Sequence, residues 1–341
     1  MLKNLKHSIV FILIVISLLF VVFMSLAAYK PVPDINTAAV SVQNGNASKY
    51  GKWPGLGMGM YYVQASYVDT LLTNGFTELA VGIPDYEYSD YVTDSKAFVL
   101  ALIAQWARVS WGMTCGTEST MTSAKWNDFR LAVLAGAQWA QDNGVFEFRI
   151  GNECEYYIDD DTITISTLIT NLKSLATEVQ AIFTNGNVSY SCGQGFIDDW
   201  VRAGKGDIDI IASNIYKGGE YDNYDFAYQT RIDDLIDAFG VDGTYLTEFG
   251  PSYTSLDDYS TNEAVQAAAV TEMLDYIKAS GMTRAFFYYY LGDTWGARKE
   301  NGTYRLLWNQ ALLSIGPVKS ITVPTKTTTI SLPDTIALLP K

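Results

Sequence analysis

Short runs of β-branched and aromatic residues alternate with longer stretches of helical periodicity through most of this chain of 341 residues. The runs predict eight strands, at residues 58–63, 77–83, 109–114, 145–152, 188–192, 208–216, 245–248 and 285–291. The clearest helices between them are predicted at residues 126–142 and 263–279. This alternation is typical of a parallel sheet with crossover helices, so eight units over residues 55–316 predict an α/β fold, a single-domain (β/α)8 TIM barrel.

An open doubly wound sheet is the alternative architecture. It would need a glycine-rich phosphate turn between the first strand and the following helix. The glycines of residues 55–59 come before or inside the first predicted strand instead. The barrel therefore stays the predicted fold.

The two ends of the chain differ from the barrel in composition. Lys3, Lys6 and His7 precede an apolar run at residues 9–23 and a stretch of small residues, the layout of a signal peptide or an uncleaved membrane anchor. We predict such a leader at residues 1–29, a polar linker at 30–52, the barrel domain at 53–316 and a Thr- and Pro-rich extension at 317–341. Whether the leader is cleaved or is retained as an anchor, it predicts an extracellular protein, secreted or anchored to the membrane by this segment.

Charge and histidine content exclude several functions. The formal net charge of −14 would repel nucleic acid and favours a neutral partner. The single histidine, His7, lies in the leader. A Ser-His-Asp triad and a histidine-ligated zinc are therefore excluded from the barrel, and acid–base chemistry falls to carboxylates or tyrosine.

Two glutamates stand where predicted strands end. Strand four runs out at Asn152 and Glu153, and strand seven ends at Glu248. Barrel enzymes place their chemistry at the carboxyl ends of the strands. Two carboxylates that flank one cleft are what cleavage of a glycosidic bond requires.

These motifs resemble those of the clan A retaining glycoside hydrolases, which include cellulase-like and mannanase-like families. Asn152-Glu153 resembles the acid/base motif of the clan, and residues 247–250, Thr-Glu-Phe-Gly, resemble its nucleophile motif. The resemblance implies double displacement with Glu153 as acid/base and Glu248 as nucleophile, without a cofactor or a metal. It further implies a β-linked oligosaccharide or polysaccharide as substrate, and we expect a monomer.

Further substrate-binding residues follow from the same resemblance. Tyr216 is similar to the clan tyrosine that hydrogen-bonds the nucleophile, and Trp295 to the tryptophan that stacks on the sugar. Asn152 is expected to bind the 2-hydroxyl of the sugar. Trp111, which we place after strand three on the same face, is expected to line a distal subsite.

Three departures from the clan pattern indicate a divergent member. Asn214, counted here as a substrate-binding residue, stands where many cellulase-like members have histidine. Cys154 follows the acid/base residue in place of a common proline, and strand two contains no arginine to support the nucleophile.

Cys115, Cys154 and Cys192 follow predicted strands three, four and five. Export favours one disulfide, and Cys115–Cys154 is slightly favoured over Cys154–Cys192. A three-cysteine metal site is disfavoured because no histidine completes it.

Two other functions use the same barrel. A glycan-binding protein that has lost catalysis needs neither glutamate, so the presence of both disfavours it. A transglycosidase keeps both residues, and the sequence does not separate it from a hydrolase.

Overall fold

The computed structural model of the protein describes residues 39–42, 78–81, 86–87, 89–104, 107–115, 121–158, 162–217, 228–251, 263–288 and 306. Within these residues, parallel strands close a barrel in chain order, β1 to β8. The strands are β1 (Ala39–Val42), β2 (Glu78–Val81), β3 (Arg108–Gly112), β4 (Glu147–Asn152), β5 (Asn187–Gly193), β6 (Ile210–Lys217), β7 (Thr244–Pro251) and β8 (Ala285–Tyr288). The predicted parallel barrel is confirmed, with strands two to eight at the predicted places.

The first strand is not where the sequence predicted it. β1 pairs in parallel with β2 and with β8, so that Val40 lies opposite both Leu79 and Phe287. It falls inside the predicted linker at 30–52, and the predicted first strand at 58–63 lies outside the described residues. Four residues are too few for composition to distinguish a strand from a tether. The barrel consequently begins upstream of residue 53, and the chain divides into units at residues 37 and 38.

Helices lie between the strands: α1 (Ser89–Ala104), α2 (Ser123–Asp142), α3 (Ile165–Gln180), α4 (Ile197–Ala203), α5 (Tyr228–Phe239) and α6 (Glu263–Ala279). The bounds of α6 are those predicted. α2 begins three residues earlier than predicted because the Thr122 side chain accepts a hydrogen bond from the Lys125 N–H. It ends as expected at Asn143 and Gly144, the latter at φ +73°.

Alternation along each strand separates an outer apolar layer from a polar interior. Outward residues such as Val109 and Phe148 are buried in one core with Phe129 and Val133 of α2. Inward residues include a small apolar cluster: Ala80, Ile210, Ala212, Tyr245 and Phe286.

Trp111 belongs to the outer layer. Its side chain is 0% exposed, and its indole N–H donates to Ser95 Oγ of α1 at 2.6 Å. Its ring meets Trp139 of α2 edge to face, with 4.8 Å between centroids. The prediction that Trp111 lines a distal subsite is therefore wrong, since its place in β3 directs the side chain toward the helices.

A buried charge network fills the barrel near the amino ends of the strands. Glu147, the first residue of β4, accepts hydrogen bonds from Ser110 Oγ at 3.1 Å, Ser189 Oγ at 2.8 Å and Arg284 Nη1 at 2.7 Å, and from the Tyr245 hydroxyl. Burial alone would raise the pKa of Glu147, but the Arg284 charge and these hydrogen bonds together lower it. The network joins β3, β4, β5 and β7 to the residue before β8, about 15 Å along β4 from its carboxyl end.

The three cysteines are buried free thiols, so the predicted disulfide is not formed. Cys115 and Cys154 are hydrogen-bonded to each other, and burial raises the pKa of Cys115 and of Cys192. A protonated thiol is a poor nucleophile for disulfide formation. These side chains serve the core.

Among the described residues, no helix is long and apolar enough to cross a membrane. The predicted leader at 1–29 and the extension at 317–341 lie outside those residues.

Candidate active site

The two predicted catalytic glutamates stand at the same edge of the barrel. Glu153 follows the last residue of β4 and is partly exposed. Glu248 lies in β7, is 7% exposed and pairs with Asn214 of β6. β7 continues beyond the predicted end to Pro251 because that residue still pairs with Lys217. In a parallel barrel this edge is where catalytic residues meet substrate.

The backbone of Glu153 is in the left-handed region, at φ 51° and ψ 33°, and no other non-glycine residue of the described chain has a positive φ. This conformation costs a residue with a Cβ about 1–2 kcal/mol. Two hydrogen bonds maintain it: the Glu153 N–H donates to Ser191 O at 2.7 Å, and its carbonyl accepts from the Tyr156 N–H at 3.1 Å. Strain of this kind concentrates at functional sites, so it marks Glu153 independently of its motif.

A short helical turn, Cys154–Tyr157, follows Glu153, and side chains of β5 and α4 hold it in place. The Cys154 N–H donates to the Tyr190 hydroxyl at 3.0 Å, and the Trp200 indole donates to the Glu155 carboxyl at 2.7 Å. Burial raises the pKa of Glu155 to about 7. The sequence singles out Glu153, which ends the strand directly after Asn152, and does not indicate that Glu155 is buried.

The structure brings Tyr216 to Glu248. The tyrosine hydroxyl donates a hydrogen bond to the Glu248 carboxylate. A hydroxyl donor stabilises negative charge on the carboxylate. The contact predicted for Tyr216 is thus present between the two side chains.

Asn152 and Asn214 are also brought together. The side-chain amide of Asn214 donates to Asn152 Oδ1 at 3.4 Å. The Asn214 oxygen accepts from Thr247 Oγ1 at 2.5 Å and from Ser191 Oγ at 3.1 Å. This layer of amides and hydroxyls spans β4 to β7 beneath the two glutamates.

Arg149 is a part of the site that the sequence reasoning missed. It is 3% exposed, and its guanidinium donates to the carbonyl of Val81 at the end of β2. Burial lowers the pKa of Arg149, and nearby acidic groups, including Glu147 and Glu248, act in the opposite direction. The sequence contained a signal for Arg149, because Glu147 and Arg149 are two residues apart in β4 and therefore lie on the same face of the strand. β4 therefore places a positive charge in the neighbourhood of Glu248, although β2 provides no arginine.

Trp295 lies outside the described residues, so its predicted stacking role stays a prediction. Within the described part of the chain, no group of three or more His, Cys, Asp or Glu side chains is arranged to hold a metal ion.

Comparison with solved structures identifies the barrel. Endoglucanase Cel5A from Thermotoga maritima superposes with a TM-score of 0.60 at 11% identity, over 83% of this chain and 97% of that one. The exo-β-1,4-mannosidase Op5Man5 from Opitutaceae bacterium strain TAV5 superposes with a TM-score of 0.60 at 12% identity, over 82% of this chain and 59% of that one. A family 5 xyloglucanase from Paenibacillus pabuli has a TM-score of 0.58 at 13% identity, over 83% and 98%.

The chain has the fold of these glycoside hydrolases. The resemblance drawn from the strand-end motifs is confirmed at this level, and the low identities fit a divergent member. No family model matches the sequence, and no curated protein does. Structures of the Thermotoga enzyme contain cellobiose or mannotriose, and a further neighbour has been solved with a cellotriose.

Proposed function

We propose that the protein is a retaining glycoside hydrolase that cleaves β-linked glycans. One observation carries the proposal: two glutamates occupy the carboxyl edge of a single barrel, on β4 and β7, and each is held by a dedicated contact. Glu248 receives the Tyr216 hydroxyl, and Glu153 is fixed in a strained backbone by Ser191. A purely structural glutamate at a strand end requires neither arrangement.

The reaction proceeds by double displacement. Glu248 attacks the anomeric carbon while Glu153 donates its proton to the departing glycosidic oxygen, which gives a glycosyl-enzyme ester. Glu153 then removes a proton from water, and the hydroxide oxygen displaces Glu248 with net retention. Tyr216 and the charge of Arg149 support the ionised state that Glu248 needs for attack. These steps use side chains of the chain itself.

The substrate class follows from the neighbours and from the charge. Related structures contain cellobiose, mannotriose or a cellotriose, which are uncharged oligosaccharides. A formal net charge of −14 is compatible with neutral glycans and not with polyanions. The apolar run at residues 9–23 supports export to a compartment where such polymers occur. We expect the exported protein to act as a monomer.

Substitution of each glutamate should distinguish the nucleophile from the acid/base residue. Glu248→Ala should abolish turnover of every substrate, and azide should restore it with inverted product, because a small anion fits the space left by the carboxylate. Glu153→Ala should retain turnover of dinitrophenyl glycosides, whose leaving group needs no proton, and lose it on β-glucan and mannan oligosaccharides. Proton NMR of the first product should show retention in the wild type.

Glu178→Ala provides the control, because this glutamate lies in α3 and pairs with Arg130 on the outside of the barrel. It should leave turnover unchanged. Modest and equal losses from the two active-site substitutions, with no azide rescue, would contradict the proposal and favour a glycan-binding protein.

A further inference from the structure

Three buried side chains on neighbouring strands form a closed polar triangle below the proposed active site. They are Ser191 of β5, Asn214 of β6 and Thr247 of β7, which are 0%, 0% and 1% exposed. Ser191 Oγ, Thr247 Oγ1 and Asn214 Oδ1 lie within hydrogen-bonding distance of one another, and the two hydroxyl protons make two of these three contacts at a time. At this depth an unpaired hydroxyl would cost about 1–3 kcal/mol, so the triangle is a defined arrangement.

The triangle fixes which way the Asn214 amide points. The Thr247 hydroxyl donates to Asn214 Oδ1 at 2.5 Å, and Ser191 Oγ lies 3.1 Å from the same oxygen. The amide oxygen is the atom that faces the two hydroxyls. Asn214 Nδ2 consequently points the other way, toward Asn152 Oδ1 at 3.4 Å.

The orientation is passed on to Asn152. Because Asn152 Oδ1 accepts from Asn214, the Asn152 NH2 group is turned to the opposite side of its amide. Among the described residues, no partner is assigned to that NH2 group, and Asn152 is partly exposed directly before Glu153. A sugar positioned between Glu153 and Glu248 presents its 2-hydroxyl beside the anomeric carbon. A donor to that oxygen binds more strongly in the transition state than in the ground state.

We propose that Ser191 and Thr247 are positioning residues which, through Asn214, hold the Asn152 amide so that its NH2 group donates to the substrate 2-hydroxyl. This inference rests on the proposed function and assigns roles to two side chains that do not touch substrate. The Ser191 carbonyl separately binds the Glu153 N–H, and this backbone contact survives a side-chain substitution. Loss of the Ser191 hydroxyl therefore perturbs the amide chain and leaves the support of Glu153 in place.

The test compares two substrates on each variant: dinitrophenyl β-cellobioside, and the analogue that lacks the 2-hydroxyl on the ring bonded to the aryl group. Thr247→Val keeps the shape and removes the hydroxyl. We expect kcat/KM to fall about tenfold on the first substrate, chiefly through kcat, and to change less than about twofold on the analogue. Thr247→Ser restores a hydroxyl and should recover activity.

Ser191→Ala should reproduce the same selectivity and provides a second variant if Thr247→Val folds poorly. Asn152→Ala should remove the preference for the 2-hydroxyl, and adding Thr247→Val to it should cost nothing further on either substrate. Equal losses on both substrates would overturn the inference and leave the hydroxyls a merely structural role. If the wild type turns over neither substrate, the proposed function itself fails, which is a distinguishable outcome.

Discussion

The strained backbone at Glu153 allows stability to be separated from function at one position. Glu153 has φ 51° and ψ 33°. A Cβ costs about 1–2 kcal/mol in this region, and glycine escapes that cost but loses about 0.5–1 kcal/mol more backbone entropy on folding. The difference leaves Glu153→Gly more stable than Glu153→Ala by about 1 kcal/mol. Both variants lack the carboxylate, so the comparison isolates the backbone.

Denaturant unfolding of the two variants measures this difference directly, and thermal unfolding should show a gain of about 2 °C. Gly144→Ala supplies the calibration. Gly144 has φ +73°, and no atom lies within 4 Å of a Cβ built there, so its substitution should cost about 1 kcal/mol from conformation alone. Glu178 lies inside α3, where the difference between the two substitutions has the opposite sign. Glu178→Gly should be less stable than Glu178→Ala by about 1 kcal/mol.

Both Glu153 variants should lose turnover of natural glycans to the same extent. If Glu153→Gly proves less stable than Glu153→Ala while Gly144→Ala behaves as calculated, the backbone at Glu153 is not held in the left-handed region. The argument that strain marks this residue would then be refuted.

Two further substitutions test buried groups. Burial raises the pKa of Glu155 from 4.5 to about 7, so its folded form favours the proton. The wild-type free energy of unfolding should therefore fall, by up to about 3 kcal/mol, as pH rises from 4.5 to about 7. Glu155→Gln should lack this component in urea titrations across that range, and identical pH profiles would contradict the assignment. Trp111→Phe should lower stability by about 1–3 kcal/mol through the lost Ser95 hydrogen bond and volume, and should leave kcat/KM unchanged. A changed KM would return Trp111 to the substrate-binding residues.

Local sequence signals were sufficient for the barrel from β2 onward. β6 is a largely buried run with three isoleucines, and Asn143-Gly144 ends α2 at the predicted place. β1 escaped because its identity as a strand comes from pairing with β2 and β8, which lie far away in the chain. A property that depends on barrel closure has no signature in a window of four residues.

The residues of the candidate site also differ in how far local sequence predicts them. Glu153 and Glu248 were predictable because the chemistry and the strand end are both local. Trp111 was misassigned because the prediction placed it after strand three and ignored the alternation of side chains along the strand. That alternation directs the Trp111 side chain outward, toward the helices. The hydroxyls of Ser191 and Thr247 are separated by 56 residues in sequence, so their contact depends on the closed barrel.

The polar triangle explains how a departure from the clan pattern coexists with the retained glutamates. Asn214 stands where the resemblance leads one to expect histidine, and an amide alone would be free to flip in place. In the structure, the hydroxyls of Ser191 and Thr247, one from each flanking strand, both approach the amide oxygen and hold this orientation. Replacing any one of the three residues would remove two of the three contacts. The three positions therefore form one unit, and a single substitution of Asn214 by histidine should disrupt this layer unless both hydroxyl positions change with it.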